Sequence, residues 1–304
     1  MQKKKVLLIR LDKIGDLICT LPVDQVLDEN LYDITWVVQK GLGRVVDLGT
    51  KKRRYIELDK NNPKEAAKVL RNFLGTIYAD VAISFQCPWW VNYELLRARI
   101  PIRAGVKSQW HSFLFLNKGL RQKRSLAEKH EFEYNMELVE KTLNVTRPGH
   151  LPVFEIKRPI ELNILDKNKL EPKKYIVVHP GMMGSALNWP QSEYIAYIKT
   201  QLAAGKKIVI TGTESDEDYL TEIRKTYLNH QQVIWLQSKL NMNELVQVLA
   251  NAEFVVAPST GVAHLAASVG TPVKAIFSPV RVHHPQRWAP RGPGSIEIWM
   301  IRVS

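Results

Sequence analysis

The stretch Phe254-Val255-Val256-Ala257-Pro258-Ser259-Thr260-Gly261-Val262-Ala263-His264-Leu265-Ala266-Ala267-Ser268-Val269-Gly270-Thr271-Pro272-Val273 runs for 20 residues without a charged side chain. Its length would suit a bilayer span, yet Pro258, Gly261, Gly270 and Pro272 cut it into short pieces. It reads as strand, turn, helix and a second strand that continues to Phe277. Two strands that are apolar except for Lys274, joined through a helix, are the signature of a parallel sheet covered by helices, because strands buried on both sides read as near-continuous apolar runs rather than as polar alternation.

Outward from this unit the same alternation recurs. In the second half, strands are predicted at Tyr175–His179, Ile208–Thr211, Val233–Trp235, Phe254–Ala257 and Val273–Phe277, with helices at Gln191–Ala204, Glu217–Asn229, Met242–Ala250 and Gly261–Val269. In the first half, strands are predicted at Val6–Arg10, Ile34–Val38, Tyr55–Leu58 and Val81–Ser84, with helices near Gly15–Asn30, Pro63–Ile77 and His130–Leu143. The fold class is therefore α/β, in two doubly wound halves. Between them Thr146–Pro172 is irregular and carries Pro148, Gly149, Pro152, Pro159 and Pro172, which places the boundary near residue 155 and gives domains 1–155 and 156–304.

The composition, 45% hydrophobic and 24% charged over 304 residues, is that of a globular protein and excludes a disordered or collagen-like chain. Two cysteines, Cys19 and Cys87, cannot build a disulfide framework or a four-thiolate zinc site, and a cytosolic setting is the default expectation. After Lys3-Lys4-Lys5 the apolar run is interrupted by Arg10, Asp12, Lys13 and Asp16, too soon for an export signal. The net charge of +13 is uneven: residues 1–150 hold 26 Lys/Arg against 17 Asp/Glu, and the rest 17 against 13. A field of that sign favours an anionic partner, whether nucleic acid, phosphorylated lipid or a membrane face.

Three loops leave the carboxyl ends of strands, where ligands of open α/β sheets gather. The first, Arg10-Leu11-Asp12-Lys13-Ile14-Gly15-Asp16, presents a carboxylate beside a glycine; the same Asp16 could equally be an acid favoured at a helix start. In the second, His179-Pro180-Gly181-Met182-Met183-Gly184-Ser185-Ala186-Leu187-Asn188-Trp189-Pro190, Gly181, Gly184 and Ser185 can offer backbone N–H groups to phosphate, or form only a turn. The third, Ser259-Thr260-Gly261, opens a helix whose free N–H groups and positive end suit a diphosphate, with His264 one turn further in, either reaching the ligand or sitting as an interior histidine. A basic tract completes the set: Arg97, Arg99, Arg103, Lys107, Lys118, Arg121, Lys123, Arg124 and Lys129 against Glu128 alone, with Lys51-Lys52-Arg53-Arg54 as a second cluster. Trp110, Phe113, Leu114, Phe115 and Leu116 interleave with the tract, which reads as a lipid-facing surface or as a solvated face.

In this order and at these distances the segments resemble family 9 glycosyltransferases, the lipopolysaccharide heptosyltransferase family. The likeness rests on Ile14-Gly15-Asp16 with Thr20-Leu21-Pro22, Pro180-Gly181 through Asn188-Trp189-Pro190, Ser259-Thr260-Gly261 with His264-Leu265-Ala266-Ala267, Phe277-Ser278-Pro279 and Arg287-Trp288-Ala289-Pro290. It covers nearly the whole chain.

The resemblance implies a GT-B fold, two Rossmann-like domains facing one another across a cleft, and an inverting, metal-independent transfer with no cofactor. It implies Asp16 as general base. The donor, a nucleotide sugar such as ADP-heptose, would be held by Gly181, Gly184, Ser185, Asn188, Ser259, Thr260, Gly261 and His264, with Glu214 on the ribose. The acceptor, an anionic glycolipid of the lipid A-core type, would be held by Gly15, Lys13, Arg53, Arg97, Arg99, Arg103, Arg121 and Arg124. The setting implied is the cytoplasm, peripheral at the inner face of the inner membrane. Two residues depart from the family pattern: Ser259 stands where Asp is common, and Leu187 where well-studied members have Lys. A catalytically impaired nucleotide- or glycolipid-binding protein of the same fold is the alternative reading. Nucleic-acid binding explains the charge but finds no recognisable module, and a nicotinamide dehydrogenase lacks Gly-x-Gly-x-x-Gly after the first strand. The chain ends at Ser304 soon after a strand, whereas GT-B enzymes usually close with a returning helix, so a truncated end is one expectation.

Overall fold

The computed structural model describes residues 2–147, 149–159, 163–182 and 187–301. The chain divides into two compact units, Met1–Phe154 and Glu155–Ser304. In the first, β1 (Lys4–Arg10), β2 (Tyr32–Gln39), β3 (Arg54–Leu58), β4 (Val81–Ser84), β5 (Ile102–Val106) and β6 (Lys118–Leu120) form one parallel sheet in the order β3-β2-β1-β4-β5-β6. Its helices are α1 (Ile14–Ile18), α2 (Gly43–Leu48), α3 (Pro63–Thr76), α4 (Trp89–Arg97), α5 (Trp110–Phe115) and α6 (Glu131–Leu143).

The second unit repeats the design. Its strands are β7 (Tyr175–Val178), β8 (Lys207–Ile210), β9 (Val233–Trp235), β10 (Phe254–Pro258), β11 (Val273–Phe277) and β12 (Ile296–Met300), ordered β12-β11-β10-β7-β8-β9. The accompanying helices are α7 (Asn163–Lys167), α8 (Gln191–Ala203), α9 (Thr221–Tyr227), α10 (Met242–Asn251), α11 (Gly261–Ser268) and α12 (Pro285–Trp288). In each unit the chain winds outward from the first strand in one direction and then crosses to wind the other way. The switch points, between β1 and β4 and between β7 and β10, open crevices at the carboxyl edge where such sheets take ligands.

Burial follows from this topology. The strand cores are apolar on both faces: Leu7 and Ile9 lie in a core with Leu70 and Leu74 of α3 and Trp90, Val91 and Leu95 of α4, while Val6 and Leu8 are equally buried. Ile176, Val178, Ile208 and Ile210 form the equivalent core with Tyr194, Ile198 and Ile223. Among the described residues no helix is long and apolar enough to cross a membrane.

Besides short helices that the sequence did not show, such as α2, α4 and α5, the structure differs from the sequence expectation in three segments. The helix expected at Gly15–Asn30 is only α1, followed by a 3-10 turn at Leu21–Val26. The Thr20 hydroxyl donates back to the Asp16 carbonyl at 2.6 Å, and Pro22 cannot supply the N–H that a continuing α-helix needs. Likewise Glu217–Asn229 is split into a 3-10 turn, Glu214–Tyr219, and α9. The basic tract hides β5 and β6. Gly119 makes their pairing possible, since with φ at +151° a Cβ on it would sit 2.0 Å from the Gly105 carbonyl oxygen.

Candidate functional site

In the first unit the crevice is organised by Arg10, the last residue of β1, whose side chain is 0% exposed. A buried guanidinium is tolerated only if surrounding charges compensate it. Here Nη2 donates to Asp16 Oδ1 at 2.5 Å, and Glu131 Oε1 lies 3.4 Å from Nη1. Asp12 Oδ2 is 2.9 Å from Nε, but Nε has no hydrogen-bond acceptor among the described residues, so Asp12 acts through charge rather than an aligned bond. Burial works to lower the Arg10 pKa, yet Asp16, Asp12 and Glu131 outweigh it and hold the group above its ordinary range. Burial raises the Asp12 carboxyl, against the opposing pull of Arg10 and Lys60.

Two helices fix the carboxylates. Asp16 lies in the first turn of α1, where its side chain keeps 21% exposure. Asn135 Nδ2 of α6 donates to Thr20 Oγ1 at 3.0 Å, and Thr20 in turn holds the Asp16 carbonyl. At the start of α6, His130 Nδ1 accepts from the Phe132 N–H and Glu133 accepts from the His130 N–H, a capping box that places Glu131 in the first turn. Glu131 is wholly buried and also receives Arg124 Nη1 at 2.5 Å. The result is a clamped, half-open Asp16 at a switch point, with its orientation set from beneath.

The expected acceptor residues separate by edge of the sheet. Lys13 and Gly15 flank Asp16, and Arg121 follows β6, so these lie at the carboxyl edge. Arg124 is there too, but buried, with its donors turned to Glu131, Asn135 and Gln122. Arg53 precedes β3, Arg97 and Arg99 follow the return of α4 towards β5, and Arg103 is the second residue of β5. Parallel strands all begin on one edge and end on the other, so the topology does not bring these four to Asp16. Arg53 is moreover bound by the buried Asp24 at 2.7 and 3.0 Å, and Arg103 by the carbonyls of Phe115 and Ile100. Sequence reasoning missed Arg10, Asp12 and Glu131 as a site. The available signal was an arginine directly after the apolar run Val6–Ile9 of β1, a position that demands carboxylate partners.

In the second unit, β7 and β10 pair in register from Phe254↔Ile176 to Val256↔Val178, so their two loops leave the sheet side by side. His179, just past β7, is buried with Nδ1 3.0 Å from Thr211 Oγ1. Burial pushes its pKa down to about 4, with Asp216 pulling the other way, so the ring is neutral at neutral pH. Gly181 follows. A Cβ there would lie 2.2 Å from Asp216 Cγ, and only glycine lets the loop approach that carboxylate. Asp216 is buried; its Oδ2 accepts the Thr213 N–H and hydroxyl, whereas Oδ1 has no partner among the described residues.

Across the crevice, Ser259 N–H bonds the Ile276 carbonyl and Thr260 caps α11. The Thr260 hydroxyl makes no capping bond and is buried without a hydrogen-bond partner among the described residues, beside a helix start that carries partial positive charge. His264 is buried one turn in, and Glu214 is exposed just past the end of β8. Asn188 departs from the donor role expected of it: Nδ2 donates to the Pro180 carbonyl at 2.7 Å, and Oδ1 accepts from the Trp189 N–H and Tyr194 hydroxyl. It ties the loop to α8, and Trp189 stacks on Trp299 at 5.3 Å. Gly184 and Ser185 lie outside the described residues.

The model of glycosyltransferase family 9 (heptosyltransferase) matches residues 69–303. The chain belongs to this family. A Haemophilus influenzae protein carrying only a general glycosyltransferase name is 27% identical over 94% of this chain and 86% of its own length. Among solved structures, a family 9 glycosyl transferase from Veillonella parvula superposes with a TM-score of 0.80 at 19% identity, covering 98% of this chain and 86% of that one. The Escherichia coli ADP-heptose lipopolysaccharide heptosyltransferase II gives 0.78 at 19% identity, with 99% and 91% covered. These two likenesses speak for the fold, two Rossmann-like α/β units as in GT-B enzymes; the family match makes the protein a glycosyltransferase of the heptosyltransferase type.

Proposed function

We propose that this glycosyltransferase moves heptose from ADP-heptose to a phosphorylated, lipid-linked core saccharide in lipopolysaccharide assembly, with inversion and without a metal or other cofactor. The reading is carried by Asp16, a partly exposed carboxylate locked by a buried arginine at a topological switch point. Its carboxylate takes the proton of an acceptor hydroxyl while that oxygen attacks the anomeric carbon from the face opposite the leaving group. The bond from the anomeric carbon to the phosphate oxygen breaks, and the electron pair departs with ADP.

The second unit supplies the leaving-group site in this reading. N–H groups at the start of α11 and the unpartnered Thr260 hydroxyl meet the diphosphate, and electrostatic stabilisation of the developing charge replaces a cation. In this reading Gly181 admits the phosphate close to the backbone, and Glu214, in the turn after β8, accepts from the ribose hydroxyls. The Escherichia coli enzyme of the same fold, named for ADP-heptose, supports that donor. The site of action is the cytoplasmic face of the inner membrane.

Incubation of the full-length protein with ADP-heptose, GDP-sugars and UDP-sugars in turn, each with heptose-free core glycolipid, tests the proposal by the mass of the product. A heptose increment from ADP-heptose alone is expected. Tight donor binding with no product from any donor would instead favour a binding protein that has lost catalysis, in keeping with the exposed Leu187 where the family resemblance implies a Lys.

A further inference from the structure

Most large apolar side chains of the first unit are buried, but a group on two neighbouring helices is not. Trp89, Tyr93 and Leu96 repeat at helical spacing along α4 and are exposed, and on α5 Trp110, Phe113 and Leu114 are 64%, 61% and 66% exposed. The two sets form one surface: ring centroids link Trp89 to Tyr93 at 6.4 Å, Tyr93 to Phe115 at 5.7 Å and Phe115 to Trp110 at 6.1 Å. Isolated exposed apolar residues need no explanation, whereas a contiguous aromatic patch marks a surface that is covered in use.

The charge around the patch identifies what covers it. From Trp89 to Phe115, across the two helices and the strand between them, the chain carries Arg97, Arg99, Arg103 and Lys107 against a single acid, Glu94. Glu94 is buried and bound by Arg71 at 2.6 Å, while Arg97 at the end of α4 and Arg99 just beyond it are exposed. Arg97 follows Tyr93 by one helical turn and shares its face. A second copy of this chain would bring like charges together over the patch. An anionic bilayer satisfies both features, since Trp and Tyr rings settle at the headgroup level and cations meet lipid phosphates.

We propose that the face formed by α4 and α5 docks on an anionic lipid bilayer, with Trp89, Tyr93, Trp110, Phe113 and Leu114 entering the interface and Arg97 and Arg99 on lipid headgroups. This deepens the proposed function by naming the surface that would bring the enzyme to a lipid-linked acceptor, but it is read without donor, acceptor or turnover. Co-sedimentation of the full-length protein with phosphatidylglycerol/phosphatidylcholine vesicles is the test, beside vesicles of phosphatidylcholine alone. Binding to the anionic vesicles that weakens with added salt is expected. A Trp110→Ser/Phe113→Ser/Leu114→Ser variant should lose about tenfold or more in vesicle affinity while its circular dichroism stays unchanged. Should that variant fail to fold, Arg97→Glu/Arg99→Glu should show the same loss. No binding by the wild type, equal binding by folded variants, or concentration-dependent dimers without vesicle binding would each overturn the proposal. A product formed from soluble acceptor in those cases would leave the transfer reading standing.

Discussion

Replacing Arg10 by methionine keeps roughly the volume of a side chain that is fully buried but removes the cation that three carboxylates share. Asp16 at 2.5 Å, Asp12 at 2.9 Å and Glu131 at 3.4 Å lose it together, while Arg124 still holds Glu131 and Lys60 remains 3.6 Å from Asp12. Breaking a buried pair by removing one partner costs about 3–5 kcal/mol, because a charge is left without compensation. The remaining cations should keep the loss towards the lower figure. Urea unfolding at pH 7.5 reads it directly as a shift in midpoint. The sign of the pH dependence is fixed as well: protonation relieves an uncompensated carboxylate, so the gap between wild type and Arg10→Met should narrow as pH falls through the carboxylate range. Arg10→Lys, with one charge and no planar fork, should fall between the two. A loss below about 1 kcal/mol for Arg10→Met, or a gap that widens on acidification, would refute the clamp.

The second unit gives two further expectations. His179 has its folded pKa lowered by burial to about 4 from an ordinary 6.5, so the unfolded chain takes the proton first; its stabilising contribution is complete above pH 6.5 and is lost as pH falls towards 4, about 2 kcal/mol of it by pH 5. Unfolding free energies of wild type and His179→Asn from pH 7 to 5 check this, and parallel curves would contradict it. Gly181→Ala should lower stability by about 1–3 kcal/mol and weaken ADP binding, because the new methyl meets the held carboxylate of Asp216. A thermal melt and a nucleotide titration measure both, and an unchanged protein would show that Asp216 yields freely.

Much of this was legible from residues. Fully apolar strands such as Ile176-Val177-Val178 and Phe254-Val255-Val256-Ala257 declare a sheet covered on both faces, and the glycines and prolines at their carboxyl ends mark the loops. The segment Arg97–Lys129 was opaque because β5 and β6 are short and pair through two glycines, which leaves little apolar pattern to read. Asp16 could be singled out by its place after β1, but its clamp could not, since Glu131 stands 121 residues from Arg10 and meets it only when α6 folds against the sheet. Arg53, Arg97, Arg99 and Arg103 fall away from the edge that carries Asp16 for a similar reason: density along the sequence says nothing about which edge of a parallel sheet each residue occupies. Asn188 shows the converse, a motif residue whose hydrogen bonds are spent on its own loop and on Tyr194 of α8.

The role of Asp16 is most directly measured by single-turnover transfer with Asp16→Asn, using ADP-heptose and heptose-free core glycolipid, alongside calorimetric titration of the same variant with ADP. A drop of about 100-fold or more in the transfer rate, with ADP affinity and thermal stability close to wild type, is the predicted result. Transfer at the wild-type rate by the folded variant would contradict the assignment of the base and, with it, the mechanism built on this carboxylate.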